Sequence, residues 1–240
     1  GMGLTASGFI VALKRAHEGP WKPQWRVIKE QLVLGRDLIV RSLSFQVAFV
    51  SAAAVAGRVG VAALAAHQIM LQLWNFLTLV LDSLAIAAQT LTGAALGTGR
   101  VDTARDVGRQ VVRLSAGFAL ILAAVFALGG PIIRRIFTSE EAVLDAMVVP
   151  WWVLIAMIVA GGVLFALDGV LLGASDAAFL RTLTVASVVF GFLPGIAVAY
   201  WAGTGLTGIW CGLAAMIALR LVGVVWRFKS MRWARTVVGT

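Results

Sequence analysis

Acidic residues are scarce in this sequence. Eleven Asp and Glu stand against twenty Lys and Arg among 240 residues, and the four types together make up only 13% of the chain. So little charge cannot cover a water-facing fold. Hydrophobic residues fill 60% of the chain, where soluble domains hold about 45–50%. Lipid as the outer solvent removes that conflict. Cysteine is almost missing as well. Cys211 stands alone, which excludes an intrachain disulfide, and its apolar neighbours mark it as a small packing residue. The two histidines and the scattered acids show no ligand spacing and no nucleophile beside a base. They predict no metal site, no catalytic residue and no cofactor. Gly97-Thr98-Gly99 does not follow a strand pattern, so it is no nucleotide fingerprint.

What the chain has is long apolar runs. Six fall near 38–57, 62–92, 112–130, 148–172, 179–201 and 205–226, each long enough to cross a bilayer as a helix. The second is overlong and is expected to tilt or to run on beyond the membrane. The fold expected is an all-α integral membrane protein. Residues 1–13 are too short to span and read as the end of a preceding transmembrane helix. Residues 14–37 read as a cytoplasmic linker, broken by Pro20 and Pro23. From Trp25 it gains an amphipathic pattern, with Trp25, Ile28 and Leu32 alternating with Arg26, Lys29 and Arg36. Residues 38–226 form a six-helix unit, and 227–240 a basic cytoplasmic tail.

The net charge of +9 has two readings, nucleic acid or cytoplasmic loops. Position decides. Sixteen Lys and Arg lie on the linker's side of the six spans and three (Arg58, Arg134 and Arg135) on the other. That is the positive-inside bias of a plasma or bacterial inner membrane protein, and its dispersal over separate loops excludes a nucleic-acid face. The basic stretch from Arg100 to Arg113 is expected as a cytoplasmic loop. On the far side, Pro131 is expected to open a loop, and Thr138-Ser139-Glu140-Glu141 to start a short interfacial helix.

Ionisable groups inside spans are functional candidates by default. Asp82, Asp168 and Arg220 are the ion-coupling candidates. Asp168 is followed by Gly169 and Gly173, a small-residue pair that lets another helix approach. A buried carboxylate that exchanges a proton suits a proton-coupled carrier, whereas pairing with Arg220 would make it structural. Arg41 sits near a span end, where its side chain is expected to snorkel to the interface. Gln46, Gln68, Gln72 and Asn75 are the cavity-lining candidates. The last three share one face at i, i+4, i+7, either along a substrate path or in interhelical hydrogen bonds. His67 reads as a hydrogen-bonded residue between helices.

Two motifs carry a resemblance. The run LAAHQIMLQLWNFLTLVLDSLAIAAQTLTGAALGTGRVDTAR (64–105) resembles the second helix of the C-terminal lobe of multidrug-and-toxin-extrusion (MATE) transporters of the MOP superfamily. FALDGVLLGASDAAFLR (165–181) is similar to the end of the fourth helix of a lobe in the DinF-like branch. The resemblance implies two six-helix lobes around a central cavity, of which this chain supplies the C-terminal lobe and needs the missing N-terminal one. It implies a secondary antiporter exporting drugs, organic cations or amphipathic toxins in exchange for protons or sodium, with lipid as its other partner. The first span, LIVRSLSFQVAFVSAAAVAG (38–57), holds no acid, which weakens a sodium site of the kind found in the family's other large branch. The alternatives are a lipid-linked precursor flippase of the same superfamily, or a non-transporting truncated remnant.

Overall fold

A computed structural model of the chain describes residues 25–234. The expected helix tail at 1–13, the linker up to residue 24 and the tail from residue 235 lie outside the described residues. Six long helices follow in order: α1 (Trp25–Val59), α2 (Val61–Gly97), α3 (Val101–Phe137), α4 (Glu141–Gly173), α5 (Ala177–Trp201) and α6 (Gly205–Lys229). No strand occurs among the described residues. Each of the six is long and apolar enough to cross a membrane, and large apolar side chains such as Val61, Leu128 and Trp201 stand almost fully exposed on the outside. Lipid satisfies such a surface and water does not.

The helices outrun the apolar segments, and this overturns three local expectations. At 37 residues, α2 and α3 reach about 55 Å at 1.5 Å per residue, well beyond a hydrocarbon core of about 30 Å. The basic stretch before residue 113 is therefore no loop. The turn is only Thr98–Arg100, where Gly99 takes φ 73°, a value that suits glycine. Pro131 opens no loop either but lies inside α3, which continues to Phe137. Around it, Arg134 Nε donates to the Gly130 carbonyl at 3.3 Å, and Trp151 Nε1 of α4 donates to the Phe126 carbonyl at 3.0 Å. The short interfacial helix is likewise absent as a separate piece. Thr138 Oγ1 accepts from the Glu140 amide, and α4 then runs unbroken from Glu141. The stretch from Trp25 is continuous with the first span as α1.

From Arg36 onward the chain packs as one unit, and α4 is its hub, in contact with α2, α3 and α6. From Gly161 to Leu171 its side chains are buried on nearly every face, as the centre of a helix bundle requires. Small residues set how closely it is approached. A Cβ at Gly169 would collide with the Ala85 carbonyl of α2, one at Gly173 with the Gln89 carbonyl, and one at Gly162 with Ala119 of α3. The Gly169/Gly173 pair thus admits α2, with backbone nearly against backbone. In α5 one π turn, Val188–Phe192, precedes Pro194, which has no N–H for the usual i−4 bond. Cys211 faces outward rather than inward.

Candidate functional site

Four helices meet around a cavity of about 300 Å³. From α1 come Arg41, Phe45 and Phe49 at i, i+4 and i+8, on one face. From α2 come Trp74, Thr78 and Asp82 with the same spacing, and Asn75 beside them. Phe165 of α4 and Ile217 and Arg220 of α6 complete the wall. The chamber is thus aromatic, with three charged groups.

Behind the wall stands Asp168, 2% exposed. Arg41 Nη2 and Arg220 Nη2 both donate to its Oδ2, each at 2.5 Å, while Oδ1 has no hydrogen-bond partner. Arg220 is 1% exposed, and its guanidinium lies 4.8 Å from the centre of the Phe45 ring. Withdrawing these charges from water is costly, and the remaining partners of a buried cluster cannot absorb the loss of one member. Arg41 does not snorkel to the interface, because this carboxylate captures it.

Asp82 differs from Asp168. It is half-buried on the cavity wall, and among the described residues it makes no hydrogen bond and no ion pair within 4.0 Å. Its neighbour Ser83 turns away, donating to the Val80 carbonyl at 2.7 Å. With both carboxylates ionised, Asp82 and Asp168 would offset the charges of Arg41 and Arg220.

The other sequence candidates scatter. Asn75 lines the cavity, but Gln46, Gln68 and Gln72 are exposed and stand outside its wall. On α2 the cavity wall runs instead through the adjacent stripe of Trp74, Thr78 and Asp82. His67 is fully buried, edge-on to Trp210 with ring centres 6.0 Å apart, and neither ring nitrogen has a hydrogen-bond partner. It is not the hydrogen-bonded residue expected there.

Sequence reasoning missed two further buried carboxylates. Asp37 of α1 accepts from Arg36 at 2.8 Å and from Arg181 of α5 at 2.5 Å. Asp176, in the α4–α5 turn, holds Arg227 of α6 in a two-pronged pair at 2.7 and 3.1 Å. Asp176 lies within the motif of residues 165–181, so its place was readable, but its partner was not.

The match to known proteins agrees with this architecture. A 33% identical relative over 211 residues is Protein DETOXIFICATION 44, chloroplastic, of Arabidopsis thaliana, with 87% of this chain and 40% of that protein covered. DNA damage-inducible protein F of Escherichia coli strain K12 is 28% identical over 231 residues, covering 94% of this chain and 49% of that one. The chain thus spans less than half the length of these curated relatives. A crystal structure of MATE in complex with MaL6 superposes with a TM-score of 0.81 at 20% identity, over 99% of this chain and 55% of that one, which shows the fold. The MatE family model matches residues 38–201, most of the chain and five of its six helices, and on that match this chain belongs to the MatE family, the multidrug and toxic compound extrusion (MATE) transporters.

Proposed function

We propose that this chain is the C-terminal lobe of a secondary antiporter that exports drugs or other amphipathic organic cations in exchange for protons or sodium. The observation that carries the reading is Asp82, an unpaired carboxylate at membrane depth in an aromatic chamber. An ionisable group without a partner at that depth is functional by default. The guanidiniums nearby are already engaged by Asp168, so Asp82 is the acid left free for a proton, a sodium ion or a substrate cation.

Exchange follows from charge balance. With Asp82 ionised, its charge and that of Asp168 offset Arg41 and Arg220. A proton on Asp82 leaves one net positive charge, which repels an organic cation. Proton and substrate therefore compete for a single carboxylate, and competition at one site is what antiport requires. Trp74, Phe49 and Phe165 offer apolar and π faces to the rest of the cation. Asp168 acts as a positioning residue that holds both arginines at the wall.

The reading needs a second six-helix lobe of the same transporter, and substrate passes as one lobe rocks against the other. Exposed Gln46, Gln68 and Gln72 are then free to face that lobe or the path between the lobes. The Lys and Arg excess on one side supports a plasma or bacterial inner membrane.

The test is pH-gradient-driven export of a fluorescent cationic dye from vesicles holding the full-length transporter. Export should collapse with the gradient and be lost in Asp82→Asn while the protein stays inserted and folded. Export unchanged in Asp82→Asn would remove Asp82 from the reading. No export at all by folded wild-type protein would move the function to lipid-linked precursor flipping, or to no transport.

A further inference from the structure

A second cavity, of about 540 Å³, lies on the side of α4 away from the Asp82 chamber, between α3, α4 and α6. Arg105, Arg109 and Arg113 line it from successive turns of α3, and Lys229 lines it from the end of α6. Its apolar part is Val112, Val163, Leu167, Val225 and Phe228. The two parts are layered except at Arg113, which lies two turns into α3 from Arg105, at the depth of the apolar residues. Arg105 and Lys229 sit at the helix ends on the basic side, whereas Val163 and Val225 lie a turn or more farther along their helices toward the opposite face.

The charge here is largely uncompensated. Among the described residues Arg105, Arg113 and Lys229 make no ion pair, and Arg109 has only a solvent-exposed 3.3 Å contact with Asp106. Elsewhere at this end of the bundle, Arg181 and Arg227 are each matched by a buried carboxylate. The groove is also built rather than incidental. Gly108 lies under it, and a Cβ there would meet the Phe228 ring at 2.8 Å. Phe228 in turn stacks on Trp233 with ring centres 5.7 Å apart. That leaves a fixed aromatic floor beside four cations.

We propose that this groove binds one anionic phospholipid from the leaflet on the basic side of the membrane, with its phosphate among Arg105, Arg109, Arg113 and Lys229 and an acyl chain along Val163, Leu167 and Val225. The guanidinium fork matches phosphate oxygens in pairs. A zwitterionic lipid brings its own cation to the same four and is disfavoured. An acidic peptide would leave the apolar half empty. The site takes no part in the Asp82 exchange, so it stands whether or not the protein is an antiporter.

The experiment is native mass spectrometry of the full-length transporter after titration with phosphatidylglycerol or phosphatidylcholine in the same detergent. The wild type should retain one phosphatidylglycerol tightly and show no comparable phosphatidylcholine adduct. Each arginine changed to Gln should weaken that adduct roughly fivefold, as expected for one cation at a lipid phosphate. Arg105→Lys with Arg113→Lys keeps the charge but loses the paired contacts, so it should retain phosphatidylglycerol less tightly yet still prefer it to phosphatidylcholine, which separates charge from misfolding, and Arg58→Gln on the opposite side should change nothing. Equal retention of the two lipids, or displacement of phosphatidylglycerol by an equal concentration of inorganic phosphate, would overturn the proposal.

Discussion

Arg220 of α6 reaches across to Asp168 of α4 with 2.5 Å between Nη2 and Oδ2, and the two side chains are only 1% and 3% exposed. Arg41 arrives at the same oxygen from α1. One carboxylate therefore serves two cations, while each cation has this one carboxylate. The three positions should not be equally sensitive. Asp168→Asn strands two guanidiniums, one fully buried, and should cost at least the about 3–5 kcal/mol of a broken buried pair. Arg220→Met leaves Asp168 with Arg41, and Arg41→Met leaves it with Arg220, so both should cost less. Thermal unfolding of the detergent-solubilised transporter ranks them. Arg220→Met as the worst of the three would show that the carboxylate does not organise the cluster.

Helix approach at α4 gives a second ordering. Ala at Gly169 or Gly173 drives a methyl into a carbonyl of α2, a backbone obstacle that no rotamer change removes. Each should destabilise by about 1–3 kcal/mol through overpacking. Gly117 of α3 is the contrast, because a Cβ there meets nothing within 4 Å. Gly117→Ala should gain roughly 0.5–1 kcal/mol from helix propensity alone. Unfolding midpoints that move the same way for Gly117 and Gly169 would contradict the packing described.

Helix α1 is held differently from the rest. Its apolar stretch is mostly exposed and that of α4 mostly buried. What ties it on is Asp37 to Arg181, Arg41 to Asp168, and the buried stripe Ala48, Ala52 and Ala56. Asp37→Asn should raise amide hydrogen exchange over residues 36–48 by roughly tenfold, the loss of one charge-assisted contact expressed as local opening. Arg181→Gln should do the same, and the double variant little more, since both remove the one α1–α5 contact and the Arg36 contact of Asp37 lies within α1. Equal acceleration in α4 would mean global rather than local loosening.

Much of this molecule was legible because lipid simplifies the reading. Apolar length reports the number of spans without any knowledge of packing. The Gly169/Gly173 approach was readable from small-residue spacing, and the cost of polarity in hydrocarbon singled out Asp82, Asp168 and Arg220, of which the fold pairs the last two and leaves Asp82 on the cavity wall. Helix ends were less legible. Hydropathy falls where the bilayer stops, not where the backbone stops being helical, so Arg105 and Arg109 read as loop. Pro131 read as a boundary because propensity cannot see the α4 side chains packed around it. Partner choice was illegible for Arg41. A position near a span end says that the side chain has room to snorkel, and only the fold says that a carboxylate from α4 lies nearer. Of the expected stripe Gln68, Gln72 and Asn75 only Asn75 reaches the cavity, whose wall on α2 runs mainly through Trp74, Thr78 and Asp82, an adjacent stripe of the same helix.

The last prediction follows from the proposal that Asp82 is the shared site for proton and cation. If binding a cation displaces one proton from that carboxylate, the apparent affinity for a cationic dye must fall as pH falls through the range in which the carboxylate titrates. The limiting slope is about tenfold per pH unit for one proton displaced. Asp82→Asn removes the exchangeable proton, so the affinity should become flat with pH, and weaker than the wild type at the alkaline end, where the lost negative charge is felt most. Asp82→Glu should restore a slope. An uncharged dye of similar shape should show none in any variant, because it does not compete for charge. Fluorescence anisotropy of the dye on detergent-solubilised full-length transporter, at fixed ionic strength, reads all four cases. A wild-type slope that survives in Asp82→Asn would place the titrating group elsewhere in the transporter and leave Asp82 as part of the wall.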